Sequence, residues 1–545
     1  MGKVQSFENA WDVYAMSTYN TITSLAESKV NENVLYAGTD DGIIQLTKDG
    51  GASWKKMTVD NLPKTPATAF VNDIKADLFN EQTAYVALDN HKFGDYKPYL
   101  FKTVNGGKTW KSISNGIPDG TLLWRIVQDH VNKDLLFVAS EFGVYTSLNG
   151  GKSWQKLPGT PTISFRDIVI QERENDLVAA SFGRGFFVLD DYSALREMNS
   201  ENLTKKGKLF KPRDAKLFRP RSTLGNTGGQ YYIAKNPTYG AVFTYHLKDI
   251  PKTEKSIRKS KERILNNQNK DIPFPGWDQL AKELNEKSPT IILSISDSDG
   301  NHIRNISKVA SNGTNRIAWN LKHRSYYPIR SGYYSGGWGY DPSGPYVNPG
   351  EYQGELYLVN GGNVEKLDGP ISFNVKNIGI GVLEGVSHQE YNSFINEISQ
   401  IYSEAEKYED AFSMMKRKVS LLERAALQLN TFSPEIIKSL SDLKSKINSL
   451  EIEYNGNPAK LEIMGDDNYT SSSDKPTISK RISVAQRGVR TLYGPTGLHK
   501  DNLKIAKNML EDIKAIVEKL NSETNSIEDE IKSLNPPYII GQGID

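Results

Sequence analysis

The chain has 545 residues, 67 of them basic and 65 acidic, for a net charge of +2, with 37% hydrophobic and 10% aromatic residues. That length exceeds one ordinary core, the composition is globular rather than disordered, and the balanced charge argues against a nucleic-acid partner. Cysteine is absent, which excludes disulfides, cysteine nucleophiles and thiolate metal sites and is compatible with life outside the cytoplasm.

The start, MGKVQSFENAWDVYAM, has no apolar run of the kind a signal peptide carries, and no stretch of about 18 apolar residues offers a membrane-spanning helix. Residues 1–200 are organised by repetition. TKDGGASW (47–54), TVNGGKTW (103–110) and SLNGGKSW (147–154) are near copies of one octet, recurring after 56 and then 44 residues. Short alternating runs precede each: ITSLAES (22–28) and NVLYAGTDDGIIQLT (33–47), then VNDIKAD (71–77), TAYVALDN (83–90) and YLFKTV (99–104), then LWRIVQD (123–129) and DLLFVASEFGVYTS (134–147). A fourth set, FRDIVIQ (165–171) and DLVAASFGRGFFVLDD (176–191), lacks the octet. Four short strands per unit of about 40–50 residues predict blades of a β-propeller, with NHKFGDYKP (90–98) as an insertion in the second.

Within the octet, Asp49, Asn105 and Asn149 are turn-forming acceptors, and the paired glycines supply positive φ. Trp54, Trp110 and Trp154 then wedge between neighbouring units. Asp49 reads as a turn-former rather than a catalytic acid, because Asn in the other two copies cannot exchange a proton.

The octets resemble the Asp-box, or BNR, repeat of sialidase-like, xyloglucanase-like and sortilin-type propellers, whose pattern is Ser/Thr-x-Asp-x-Gly-x-Thr/Ser-Trp. Thr47, Asp49, Gly51, Ser53 and Trp54 match it, and the other two copies match except for Asn at the acidic position. GRGFFVLDD (183–191) is similar to the end of the propeller in large bacterial BNR-repeat glycosyl-hydrolase or sortilin-like proteins. The resemblance implies a propeller followed by accessory modules. Four-bladed propellers exist, but most close with more, and the resemblance implies further blades upstream, so the expectation is an incomplete propeller, with further N-terminal blades or a partner chain supplying the rest.

Ligand chemistry is expected on the face opposite the octets. Asp40, Asp41, Asp89 and Glu141 are the carboxylates that could converge there, and glycoside cleavage needs two. Trp124, Arg125, Arg166 and Arg184 are candidate ligand-binding residues around the same mouth. His91, with Asp89 and Asp95, raises the thought of a cation, but no metal or cofactor is predicted.

Residues 205–378 read as an immunoglobulin-like β-sandwich with a helical insertion at 251–285, Trp319 in its core and a hairpin turning at Asp299-Gly300. The stretch YYPIRSGYYSGGWGYDPSGPY (326–346) is biased toward Tyr, Trp and Gly, and Tyr333, Tyr334, Trp338 and Tyr340 are candidates for stacking on sugar or peptide. Residues 386–540 carry apolar positions three and four apart and read as an antiparallel helical bundle.

The fold class is therefore multidomain and mainly β: a partial propeller, a sandwich and a C-terminal helical bundle. The functional expectation is a non-catalytic propeller protein binding a glycan, peptide or protein, secreted or otherwise extracytoplasmic and part of a larger assembly. The alternative is a BNR-type glycoside hydrolase using paired carboxylates.

Overall fold

The computed structural model describes residues 21–218, 220, 234–325, 344–378, 385–459, 475–491 and 493–541. Three four-stranded antiparallel meanders follow one another. They are β1 (Ile22–Glu27), β2 (Leu35–Thr39), β3 (Ile43–Thr47) and β4 (Lys55–Thr58); β5 (Phe70–Ala76), β6 (Ala84–Asn90), β7 (Asp95–Thr103) and β8 (Lys111–Ser112); and β9 (Leu123–Gln128), β10 (Leu136–Ser140), β11 (Gly143–Ser147) and β12 (Gln155–Lys156). A fourth meander has three strands, β13 (Phe165–Gln171), β14 (Asp176–Ser181) and β15 (Phe186–Leu189). The first strands lie side by side in chain order, so the sheets stack face to face as successive propeller blades.

The octets close the turn between the third and fourth strands. Thr47 Oγ donates to Asp49 Oδ1 at 2.7 Å and accepts from Gly51 N at 2.9 Å, while Ser53 N donates to Asp49 Oδ1 at 2.9 Å. The second copy repeats this with Thr103, Asn105, Gly107 and Thr109, and the third with Ser147, Asn149, Gly151 and Ser153. One bond reverses direction. Ser53 Oγ donates to the Asp49 carboxylate, whereas the Asn105 and Asn149 amides donate to Thr109 Oγ and Ser153 Oγ at 2.8 Å.

A second repeated device lies at the other turn. The run after each first strand begins with an acceptor: Ser28, Asp77, Asp129 and Gln171 take backbone N–H groups of the residues that follow. Asp129 also receives Tyr192 Oη at 2.7 Å and Arg196 Nε and Nη2 at 2.9 and 2.7 Å. Tyr192 packs edge-on against Phe137 at 5.1 Å, so the unclasped fourth blade is fastened to the third by Tyr192 and Arg196.

Between blades the contacts are largely apolar, crossed by several hydrogen bonds, among them Asn72 Nδ2 to the Leu123 carbonyl and Gln128 Nε2 to Asp77, and by one buried carboxylate pin. Tyr36, Ile44 and Leu46 meet Ile74, Val86, Phe101 and Trp110, and Tyr85 and Leu100 meet Ile126, Val138 and Trp154. The pin is Asp73, buried among three blades, which accepts Ser24 Oγ at 3.2 Å, Ile126 N at 3.0 Å and Arg125 Nη1 at 3.1 Å.

After a short helix, α1 (Ser200–Thr204), two sheets share one core. One has β16 (Gly207–Leu209), β18 (Ala241–Leu247) and β21 (Gly313–Trp319) in the order 16-18-21. The other has β17 (Ala215–Leu217), β23 (Asn363–Asn377), β22 (Gly350–Asn360), β19 (Thr290–Asp297) and β20 (His302–Val309), with β17 parallel to β23 and the rest antiparallel. Alternating apolar residues face inward, and Trp319, Phe243 and Phe373 fill the centre. The excursion from this core is a pair of helices, α2 (Glu254–Asn267) and α3 (Trp277–Asn285), joined by Arg258 donating to Glu283 at 2.7 and 2.8 Å.

The fourth blade is braced against these sheets. Arg316 Nη2 donates to the backbone carbonyls of Asp190 and Asp191 at 2.7 and 2.6 Å, and Arg213 pairs with Glu174 and Asp176.

The C-terminal region is helical: α4 (His388–Ala426), α5 (Pro434–Asn455), α6 (Ile478–Arg487) and α7 (Gly497–Ser533) pack around one core including Phe412, Leu440, Ile482 and Leu510. The first of these, α4, is a single unbroken helix of 39 residues. His499 caps α7, with Nδ1 accepting the Thr496 N–H at 3.0 Å. No described helix is long and apolar enough to cross a membrane.

Candidate ligand-binding cleft

The inserted segment after β6 walls a concavity on the blades. Asp89, next to last in β6, turns the chain through its Oδ1, which accepts the His91 N–H at 3.2 Å and pairs with His91 Nδ1. His91, Lys92 and Phe93 form one helical turn, closed by Gly94 at a φ of 73°. This turn walls a cleft of about 380 Å³ whose other sides are Thr68, Phe70 and Asn72 of the second blade, Trp124 and Arg125 of the third and Arg166 of the fourth.

Trp124 is the floor. Its Nε1 donates to Glu141 Oε2 at 3.1 Å, and the same oxygen accepts Ser164 Oγ at 2.9 Å. Glu141 thus ties the third blade to the loop entering the fourth and fixes the indole plane. His91 meets the indole edge-on at 6.0 Å, and Arg166 lies over its face with Cζ 3.6 Å from the ring centroid. Phe182 flanks the same guanidinium at 5.5 Å. Among the described residues, Arg166 makes no hydrogen bond or ion pair, so its guanidinium N–H donors face the cleft or solvent.

The other cations are held differently. Arg125 is engaged by the Asn72 carbonyl and Asp73 and lies 3.6 Å from Asp167. Burial pushes the Lys92 ammonium below its ordinary pKa, and the Asp89 and Asp40 carboxylates pull it part of the way back.

The fold therefore brings Trp124, Arg125 and Arg166 to one cleft, with Asp89 in its wall. Arg184 is elsewhere, at the tip of the β14–β15 hairpin between Gly183 and Gly185, and does not line it. Each candidate carboxylate is engaged locally. Asp40 Oδ1 accepts Thr21 N at 2.9 Å, Asp41 Oδ1 accepts Thr39 Oγ1 at 2.5 Å, Asp89 is bound to His91, and Glu141 to Trp124 and Ser164. Asp41 Oδ2 is buried with no hydrogen-bond partner among the described residues. Among the described residues no group of three His, Asp or Glu side chains could hold a metal ion. Tyr333, Tyr334, Trp338 and Tyr340 lie outside the described residues.

Sequence reasoning misses Phe70, Asn72, Lys92 and Phe93 as lining residues. The signal available was the insertion itself, since extra residues at one strand end of one blade must stand proud of its neighbours.

No family model matches the chain, and no curated protein matches it. Among solved structures, it is similar to a GH74 enzyme of Niastella koreensis at 16% identity over 32% of this chain and 29% of that one, with a TM-score of 0.26. It is similar to YCF48 bound to D1 peptide at 17% identity over 32% of this chain and 53% of that one, with a TM-score of 0.25. It is also similar to AFV00434, an ancestral GH74 enzyme, at 20% identity over 43% and 32% of the two chains, with a TM-score of 0.27. The chain thus spans between about a third and a half of the lengths of these structures. The fold reading rests on the sheets themselves: a mainly β chain of propeller-like antiparallel blades, followed by further sheets and a helical C-terminal region.

Proposed function

We propose that this protein is a non-catalytic binding module whose cleft between the second, third and fourth blades takes a carboxylate-bearing glycan or peptide. The observation that carries the reading is Arg166, stacked on Trp124 at 3.6 Å with no anionic partner. A guanidinium held flat on an indole is pre-organised for two parallel hydrogen bonds to a carboxylate. Phe70 and Phe93 offer the adjacent apolar surface that a sugar face or side chain requires.

Binding is favoured over hydrolysis because the four candidate carboxylates each serve a turn, a cap or the Trp124 floor. A glycosidase acid and base must face a shared substrate instead. We read the chain as three domains, 1–200, 205–378 and 386–540, the second immunoglobulin-like, with the clasped blades related to Asp-box propellers and the whole working outside the cytoplasm.

Isothermal titration with tetragalacturonate, a neutral cellotetraose and a hexaglutamate peptide tests the reading. At least one charged probe should bind, the neutral sugar should not, and Arg166→Ala should weaken binding by about tenfold or more. Equal binding of the neutral sugar, or no change on Arg166→Ala, removes it. Release of reducing sugar from the uronate would restore the hydrolase reading.

A further inference from the structure

Three positions recur at the internal boundaries between blades, all three at the first two boundaries and two of them at the third, where the fourth blade has no clasp tryptophan. The first is the fourth residue of the first-strand run, Leu25, Ile74, Ile126 or Ile168, which points back at the preceding blade. Ile74, Ile126 and Ile168 are buried there, and Leu25 is 66% exposed. The second is the clasp tryptophan, which packs on the preceding blade. Trp110 and Trp154 are buried, and Trp54 is 42% exposed. The third is the third-strand residue paired with the fourth or fifth residue of the second strand, which points forward. Ile44 pairs with Gly38, Leu100 with Ala87, Val144 with Ala139 and Phe186 with Ala180. The first three are buried against the following blade, and Phe186 is 78% exposed, with Val188 exposed on the same face.

The two ends of the arc are therefore the two complementary halves of one contact already made twice in full inside the chain, and a third time without the tryptophan. The first blade offers the backward half, Leu25 and Trp54. The fourth offers the forward half, Phe186 and Val188. We infer that these faces dock on each other between two copies of this chain, Leu25 and Trp54 of one copy against Phe186 and Val188 of the other. A head-to-tail contact made twice about a two-fold axis closes a ring, and two arcs of four blades give eight, within the range of closed propellers. Closure also removes two exposed apolar sheet faces, which a soluble protein otherwise has to protect. Within one chain the first and fourth blades share the Lys29–Glu172 pair at 3.0 Å. Both of its side chains are solvent-exposed, and such a screened pair holds weakly against an apolar contact.

Sedimentation equilibrium tests this over roughly 1–100 µM, where a contact of modest size assembles. The full chain should reach twice its 61.0 kDa mass. The double substitution Phe186→Glu with Val188→Glu should raise the dissociation constant at least tenfold, without lowering the melting temperature, because both side chains are already exposed. A monomer at every concentration, or a dimer indifferent to that substitution, overturns the inference and leaves the faces to blades of another chain. Because the chain has no cysteine, orientation can be read by crosslinking. Trp54→Cys and Val188→Cys chains should oxidise to a disulfide-linked pair when mixed. Linkage of the Trp54→Cys chain to itself, with none in the mixture, would show a face-to-face contact and overturn the head-to-tail arrangement.

Discussion

Glu141 holds Trp124 through its indole N–H at 3.1 Å, and this one hydrogen bond sets the platform on which Arg166 rests. The carboxylate that the sequence offers as a catalytic candidate thus works as a support. Trp124→Phe keeps an aromatic floor but strips Glu141 of one donor. We expect a loss of about 1–2 kcal/mol in urea unfolding, the usual cost of a half-unsatisfied polar group at a partly buried site. A variant as stable as the parent would mean that Glu141 is satisfied without the indole.

Asp49 is the acidic member of three otherwise equivalent clasps. Hydrogen bonds from Ser53 and Thr47 bring its carboxyl down to about 2. A depressed native pKa gives stability that is present above the ordinary carboxylate value and is lost as pH falls toward 2. Asp49→Asn keeps the acceptor and follows the two amide copies. Its stability at neutral pH should stay close to the parent, and its acid limb between about pH 4 and 2 should flatten. Thermal melts at stepped pH check both halves, and a parallel acid limb in the variant would place the titration elsewhere.

Arg196 closes the fourth blade onto Asp129 with a forked contact and also reaches Asn175 at 2.7 Å. Burial pushes the Asp129 carboxyl up, but the Arg196, Asn132 and Tyr192 hydrogen bonds outweigh it and hold the pKa below its usual value. Arg196→Ala leaves a buried carboxylate short of its cation, and breaking such pairs costs about 3–5 kcal/mol. Hydrogen exchange should show the loss in β13–β15 before the earlier blades. Uniform loss of protection would mean that the four blades unfold as one unit.

Asp73 draws on three blades at once, and burial is the leading influence on its pKa, raising it against the pull of Lys75 and Arg125. A carboxyl raised in the native state holds its proton better than the unfolded chain does. The stability contributed by that proton is therefore present below the unfolded value and declines as pH rises through the native one. Asp73→Asn should remove this decline, whereas Asp73→Ala should destabilise at all pH values by about 3 kcal/mol through the unpaired Ser24 hydroxyl and Ile126 N–H. Chemical unfolding of both variants from pH 4 to 8 separates the two effects, and matching profiles would show that Asp73 acts only by filling space.

The blades are readable from sequence because their two signals are local. Strand alternation and the clasp both lie within a few residues, so 47–54, 103–110 and 147–154 announce their turns directly. The second turn device is also written there, in Ser28, Asp77 and Asp129, yet it is easily passed over because serine and aspartate are common in loops. The cleft is different. Arg166 reads as a residue opening a strand, and only the stacking of the fourth blade on the third lays it over Trp124. Asp73 likewise looks like a polar residue in a strand, and its partners Ser24 and Ile126 belong to other blades. Arg184 shows the converse error, since nearness in sequence to the fourth-blade hairpin does not put it in the cleft. The His499 cap is hard to read in the sequence because histidine is an unusual third residue for a capping box.

Arg316 grips the end of the fourth blade by the carbonyl oxygens of Asp190 and Asp191 and not by their carboxylates. Such a grip reads the path of the main chain and is indifferent to what the side chains are. The joint can therefore persist while residues 190 and 191 drift, provided that the backbone keeps its course through Asp191, whose φ is 44°. Asparagine at 191 keeps both that backbone course and an acceptor for Ser193, whereas a β-branched residue there would dislodge the blade from its neighbour without touching any polar group of the Arg316 contact.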